Sequence, residues 1–118
     1  MKKNILKEKS FLFAIRIINL YKYLKKEHQE YVISKQILRS GTAIGALVRE
    51  AEFTESTKDF VHKFSISLKE TNETLYWLDL LAATDFIDEK MHESLKIDGE
   101  ELLKLLISTI KTSKQKIK

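Results

Sequence analysis

The sequence has no cysteine and no proline, and only three of its 118 residues are glycine. The absence of cysteine excludes disulfides, thiolate metal ligands and cysteine nucleophiles, and it suits a reducing compartment. Proline and glycine most often mark turns, so their scarcity indicates long helices joined by short connections. A chain of this length builds one hydrophobic core, and we therefore predict a single domain over residues 1–118.

Long apolar runs are missing as well. No uninterrupted apolar stretch approaches the roughly 20 residues that a membrane-spanning helix needs. Residues 1–9 are lysine-rich, but they lack the apolar segment and the small-residue cleavage site of a secretion signal. These features predict a cytoplasmic protein without membrane contact.

Apolar residues recur at helical spacing in four segments, residues 10–26, 31–53, 57–84 and 88–115. Ser10 and Asp88 are predicted to cap the first and fourth helices, and Ser56 with Asp59 resembles a capping box. Four helices with brief joints are antiparallel neighbours. The predicted fold class is therefore all-α, a single up-down-up-down antiparallel four-helix bundle.

Each predicted helix has a stripe of residues expected to face the core. On the first helix the stripe combines Phe11, Ile15, Ile18 and Leu24 with Ala14, Ile17 and Tyr21. On the other three helices the stripes are Ile33, Ile37, Ile44, Val48 and Ala51; Phe60, Phe64, Leu68, Leu75, Leu78 and Ala82; and Met91, Leu95, Leu102, Leu106 and Ile110.

The three glycines all lie inside predicted helices. A glycine costs about 1 kcal/mol relative to alanine in a helix interior. Because the apolar period continues in step on both sides of Gly41 and Gly45, we predict that these two residues let a neighbouring helix approach closely. Gly99 is the weakest point of the fourth helix, where a kink forms most readily.

The antiparallel arrangement also predicts which residues of the second and third helices face each other. If the chain reverses near Glu55, facing residues have numbers that sum to about 111. Gly45 then falls near Ile66, and Arg39 falls beside Glu70 and Glu73. We predict a salt bridge between Arg39 and one of these glutamates.

The third and fourth helices carry more apolar surface than one bundle core requires. A stripe much wider than about 100° is difficult to bury within one small bundle. The excess predicts a homo-oligomer whose subunits meet through these two helices. The apolar residues that cover most of their circumference are Leu75, Trp77, Leu78, Leu80 and Leu81, and Leu102, Leu103, Leu105, Leu106 and Ile107.

Two carboxylate-x-x-His pairs, Asp59 with His62 and Glu89 with His92, have the spacing of di-iron bundle ligands. Each pair lies near the start of its helix, however, and antiparallel helices place the two pairs roughly 35 to 40 Å apart. They cannot share a metal centre. His28 lies in a polar joint without an evident partner, and no nucleophile-base pair or phosphate loop is present. The sequence therefore predicts no enzyme activity and no cofactor.

Charge is distributed unevenly along the chain. Residues 1–39 carry ten Lys and Arg against three Asp and Glu, residues 40–100 carry six against thirteen, and residues 101–118 carry five against one. The antiparallel bundle brings the two basic ends to one pole, where lysines attract phosphate backbones. The joint between the second and third helices lies at the same pole and neutralises part of this charge through Glu50, Glu52, Glu55 and Asp59. The candidate nucleic-acid contacts are Lys2, Lys3, Lys7, Lys9, Arg49, Lys111, Lys114 and Lys116.

A family resemblance rests on a longer pattern of residues. The segment Arg39-Ser40-Gly41-Thr42-Ala43-Ile44-Gly45-Ala46 is followed by Glu50-Ala51, Ser56 and Lys58-Asp59-Phe60, and then by Ile66-Ser67-Leu68-Lys69-Glu70, Glu73-Thr74 and Tyr76-Trp77-Leu78. This pattern, over about residues 10–110, resembles the 23S rRNA intervening-sequence proteins of bacteria. The sequence departs from the family pattern at Ala43, where serine is expected, and at Leu47-Val48-Arg49, where asparagine followed by Ile-Ala is frequent.

The resemblance implies a four-helix bundle that assembles into a homopentameric ring, similar to the accessory protein of diversity-generating retroelements. It also implies an association with RNA or DNA. The leading hypothesis is thus a ring-forming, RNA-associated bundle that contacts phosphates through lysines. The alternative is an assembly or adaptor module whose ring presents a surface to another protein, without nucleic-acid contact.

Overall fold

The computed structural model describes residues 2–117, and it describes the side chains of residues 5–116. Over this part of the chain it contains four α-helices and no strand. The predicted helices are confirmed, and their bounds differ mainly at the start of the first helix, which includes eight residues before Ser10. The helices are α1 (Lys2–His28), α2 (Ile33–Ala51), α3 (Thr57–Ala83) and α4 (Glu89–Ile117).

Consecutive helices pack against each other, and α1 also contacts α4, which closes the bundle. The molecule measures 49 × 21 × 21 Å, close to the length of one long helix by the width of two. The predicted all-α four-helix bundle is therefore confirmed. Within the described residues, no helix is both long and apolar enough to cross a membrane.

Side chains in the short joints set the starts of three helices. The Ser56 hydroxyl accepts a hydrogen bond from the Asp59 amide (3.1 Å), and Asp88 Oδ1 accepts one from the Met91 amide (2.8 Å). Both caps agree with the sequence prediction. The first turn of α2 is capped instead by the Glu30 carboxylate, which accepts hydrogen bonds from three successive amides, those of Val32, Ile33 and Ser34.

The predicted inward face of α1 is wrong in part. Ser10 does not cap the helix, because it lies inside α1, is fully buried and donates a hydrogen bond to the Lys7 carbonyl (3.1 Å). Phe11, Ile15 and Ile18 are exposed. Ile17 and Leu24 are buried as predicted, and the core also receives Leu6, Phe13 and Leu20.

The two glycines of α2 explain this choice of face. A Cβ on Gly41 would lie 2.8 Å from both Cγ atoms of Ile17, and a Cβ on Gly45 would lie 3.2 Å from the Ser10 Oγ. The small residues therefore bring the backbones of α1 and α2 close together, as the sequence predicts. The face of α1 that packs against α2 places the small Ser10 side chain opposite Gly45.

Hydroxyl side chains join α2 to α3 in a similar way. The Ser67 hydroxyl of α3 donates to the Ile44 carbonyl of α2 (3.0 Å), and Thr74 Oγ1 lies 2.8 Å from Ser40 Oγ. All three hydroxyl side chains are fully buried. The residue numbers of these pairs sum to 111 and 114, in agreement with the predicted register.

The α4 helix is continuous through Gly99. Gly99 is buried, and a Cβ there would lie 2.8 Å from Leu75 Cδ2 of α3. The Leu75 side chain thus fills the space that the glycine leaves.

Alanine at Gly41 is expected to destabilise the fold by about 1–3 kcal/mol, because the stiff, β-branched Ile17 side chain cannot move out of the way. Alanine at Gly99 serves as the matched control. There the added methyl comes closest to the flexible end of Leu75, so the gain in helix propensity offsets the free-energy cost of that contact. Chemical denaturation of both variants measures the difference, and equal stability of G41A and G99A would contradict the close-approach argument.

Candidate functional site

Arg39, Glu70, Glu73 and Trp77 form one cluster on the surface between α2 and α3. Arg39 Nη1 donates to both Glu70 carboxylate oxygens (3.1 and 3.2 Å), and Nη2 donates to Glu73 Oε2 (2.5 Å). Trp77 Nε1 donates to the same Glu73 oxygen (2.9 Å). Arg39 therefore contacts both glutamates that the register predicts. Its side chain is half exposed, with 50% of its surface accessible.

The hydrogen bonds fix the charge of this cluster. Donation by Trp77, and then by Arg39, holds the pKa of Glu73 below its ordinary value. The bond to Glu73 raises the pKa of Arg39 above its ordinary value, against the opposing effect of desolvation. Both groups stay ionised near neutral pH and are engaged with each other. The cluster is suited to tying α2 to α3, because Arg39 belongs to α2 and both carboxylates that it contacts belong to α3.

The basic pole is only partly available for a ligand. Lys7 pairs with Glu52, the residue that follows α2 (2.9 Å), and Lys9 pairs with Glu101 of α4 (3.3 Å). Glu50 is engaged as well, by Lys63 of α3 (2.8 Å). The sequence predicts this partial neutralisation. Lys2 and Lys3, which are also candidate contacts, lie outside the described side chains.

The remaining candidate cations are exposed at the same pole. Arg49 lies near the end of α2, and Lys111, Lys114 and Lys116 lie near the end of α4. Among the described side chains, no acidic partner lies within 4 Å of any of the four. The structure thus places four of the candidate cations at one pole, without an acidic partner among the side chains of residues 5–116.

The outer face of α1, opposite its buried face, is apolar. It comprises five half-exposed side chains, whose accessible fractions range from 37% to 55%: Ile5, Phe11, Leu12, Ile15 and Ile18. Helical spacing places all five on one side of the helix over about 20 Å. We call these five residues the α1 outer face.

Ion pairs border the α1 outer face on both sides. On the α2 side lies the pair of Lys7 with Glu52. On the α4 side, Arg16 Nη1 contacts Asp98 (2.6 Å) and Arg16 Nη2 donates to the Ser94 hydroxyl (2.9 Å). An apolar patch with a polar border is typical of a surface that another protein covers.

The prediction that the excess apolar surface lies on α3 and α4 is wrong for most of the residues concerned, although Ile107 is exposed as predicted. Leu78, Leu81, Leu102 and Leu106 are buried within the bundle, and the leucines between them are at least partly buried. The exposed large apolar residues on α3 and α4 are Tyr76, Ile97 and Ile107. The excess lies on α1, whose apolar residues occupy two opposite faces. That two-sided pattern is the sequence signal that points to this surface.

The histidines do not form a metal site with the carboxylates near them in sequence. His92 contacts Asp79 of the preceding helix (2.8 Å), while Asp59 and His62 lie at the opposite end of the bundle. No three His, Asp or Glu side chains in the described part of the chain could hold one metal ion. His28 does have partners, contrary to prediction, because its Nε2 lies 3.2 Å from the Tyr23 hydroxyl and its ring packs edge-on against Phe86.

Comparisons with known proteins agree with the fold. The family model of the 23S rRNA-intervening sequence protein matches residues 2–108. A crystal structure of a protein with unknown function, from the S23 ribosomal protein family of Bacteroides thetaiotaomicron, superposes with a TM-score of 0.93. The two chains are 57% identical, and the alignment covers 94% of this chain and 99% of that one. No functionally curated protein matches the sequence.

Replacement of Arg39 by glutamine is expected to lower the free energy of unfolding by about 1 kcal/mol at pH 7, since the ion pairs are half exposed. Arg49→Gln is the matched control and should change little, because Arg49 is exposed and has no acidic partner among the described side chains. The pKa of Glu73 is lower in the folded chain than in the unfolded chain. Its stabilising effect is thus complete above the ordinary pKa of glutamate and is lost as the pH falls through the lowered value.

The difference in stability between wild type and R39Q should therefore shrink on acidification. Urea unfolding at several pH values measures this difference. A gap that stays constant down to pH 2 would show that Arg39 acts through packing alone.

Proposed function

This chain belongs to the 23S rRNA-intervening sequence protein family, and from that premise we propose that it is a non-catalytic bundle that assembles with copies of itself and binds RNA or other nucleic acid. The observation that carries the assembly is the α1 outer face. The resemblance to ring-forming relatives favours five subunits. The nucleic-acid contact is supported by the unpaired cations at the basic pole.

Covering the α1 outer face is energetically favourable. Fully burying a large aliphatic or aromatic side chain contributes about 1.5–3 kcal/mol, so half-exposed side chains contribute about 1 kcal/mol each. Burying five such residues on one face contributes a substantial part of the free energy that holds two subunits together. A second copy of the chain is the proposed partner, because the family resemblance implies a homo-oligomer.

Assembly would also strengthen a weak cationic site. One subunit offers Arg49, Lys111, Lys114 and Lys116, which make few phosphate contacts by themselves. A symmetric assembly repeats this set in every subunit. Repeated weak contacts with one strand raise the overall affinity without any new type of contact.

The ion pairs at the basic pole favour a second candidate function. Lys7 and Lys9 are held by Glu52 and Glu101, which leaves positive and negative groups alternating around α1. Such a surface suits a protein partner better than a phosphate backbone. An adaptor that binds protein and not nucleic acid is therefore the alternative.

Lysine in place of Ile15, at the centre of the α1 outer face, is expected to dissociate the assembly, because a charge would be buried between subunits. Ile97→Lys on α4 is the matched control, since Ile97 is exposed outside this face. Light scattering coupled to size exclusion measures the mass. A wild-type monomer, or an I15K variant that stays assembled, would contradict self-assembly through α1.

Neutralising Lys111 and Lys114 together is expected to weaken binding to a structured RNA and to reduce the slope of log K against log salt by about 1.5–2. The control is the pair Lys35→Gln and Lys90→Gln, two exposed lysines at the opposite pole. Filter binding at several salt concentrations gives both quantities. If wild type shows no salt-dependent association with RNA or DNA, the adaptor function replaces this proposal.

A further inference from the structure

A second exposed stripe runs along α4, on the side that faces away from the core. Its residues recur at spacings of three and four over about 21 Å of helix, and all of them are exposed. Two are isoleucines, Ile97 with 59% and Ile107 with 48% of its surface accessible, and the others are charged. We call this stripe the α4 outer face. It consists of Glu93, Ile97, Glu100, Lys104 and Ile107.

Ion pairs within the chain show which residues of α1 and α4 lie at the same height along the bundle. Arg16 contacts Asp98, and Lys9 contacts Glu101. The residue numbers of these pairs sum to 114 and 110, so residues of α1 and α4 at the same height have numbers that sum to about 112. In an assembly whose symmetry axis is parallel to the bundles, every residue keeps its height. The same sum then relates α1 of one copy to α4 of the next copy.

At this sum, apolar residues of the α1 outer face lie opposite apolar residues of the α4 outer face. Ile15 falls opposite Ile97, and Ile5 falls opposite Ile107. Between 42% and 59% of each of these four side chains is accessible in the single chain. Contact between the two faces would remove this apolar surface from water, which stabilises the assembly.

The charges of the two faces are complementary in the same alignment. Glu8 lies on the outer side of α1 by helical spacing, and the sum places it opposite Lys104. Lys22, further along the same side, falls opposite Glu89 at the start of α4. All four side chains are exposed, and within the described part of the chain none of them has an oppositely charged partner within 4 Å. A neighbouring copy would supply these partners.

We propose that the α1 outer face of one copy packs antiparallel against the α4 outer face of the next copy. The inference rests on the proposed self-assembly and names the surface that α1 meets. Because the two faces differ, each copy has two neighbours, and the repeated contact closes into a ring or extends into a filament. The competing arrangement is a two-fold pair of α1 helices with Ile15 on the axis. In that arrangement Glu8 would meet Lys22 of the second copy.

Exchange of charges between the two faces tests this pairing. Glu8→Lys places two lysines opposite each other and is expected to weaken assembly about fivefold, because an attractive pair becomes a repulsive one. Adding Lys104→Glu restores opposite charges and should return the affinity to within about twofold of wild type. The matched control adds Lys22→Glu to E8K, which gives the same net charge but leaves the repulsion from Lys104 in place. Light scattering over a dilution series at low salt measures each dissociation constant.

Replacement of Ile97 gives a second measurement, based on apolar contact. The pairing predicts that I97K dissociates as I15K does, because a lysine would be buried opposite Ile15. Self-assembly in which α1 meets any other surface leaves I97K assembled. Tyr76→Lys on α3 is the control for this measurement, since Tyr76 is 57% exposed and lies outside both faces. Thermal unfolding checks that each variant is folded.

Three kinds of result would overturn the pairing. Rescue of E8K by K22E and not by K104E would assign the contact to two α1 helices. An E8K variant that assembles as wild type does, a loss that K104E does not restore, or an I97K variant that stays assembled would each exclude α4 as the surface that α1 meets. In those cases dissociation of I15K still supports self-assembly through α1. A wild-type monomer would remove both the pairing and the proposed self-assembly.

Discussion

The close approach of α1 to α2 is the contact on which the remaining structure depends. It is made possible by Gly41 and Gly45, against which Ile17 and Ser10 pack with almost no space to spare. This contact fixes the rotation of α1 about its own axis. The rotation in turn decides which of the two apolar faces of α1 enters the core and which remains outside.

The surface chemistry follows from that rotation. With Ser10 turned inward, Lys7 and Lys9 lie on the two flanks of α1, where Lys7 meets Glu52 just after α2 and Lys9 meets Glu101 of α4. These two lysines are therefore engaged in ion pairs and are less available to a ligand. The unpaired cations come instead from the ends of α2 and α4. The contact between α1 and α2 thus determines both which apolar face of α1 is exposed and where the basic surface lies.

Polar groups between α2 and α3 serve mainly to set the register. Buried hydroxyls such as Ser67 and Thr74 form bonds that only one alignment of the helices satisfies, and Arg39 closes the same seam at the surface. A buried hydroxyl left unpaired costs free energy, so shifted alignments are disfavoured.

The sequence by itself determined the helices, their order, the caps at Ser56 and Asp88, the register of α2 against α3 and the ion pairs of Arg39, because spacing, capping chemistry and chain reversal are local properties. It did not determine which face of α1 is buried, since Phe11, Ile15 and Ile18 are as apolar as the residues that fill the core. Nor did it reveal which lysines of the basic pole are paired, since the partners of Lys7 and Lys9 lie in other parts of the chain. Only the tertiary structure decided these features, because each depends on how closely two or more helices can approach one another.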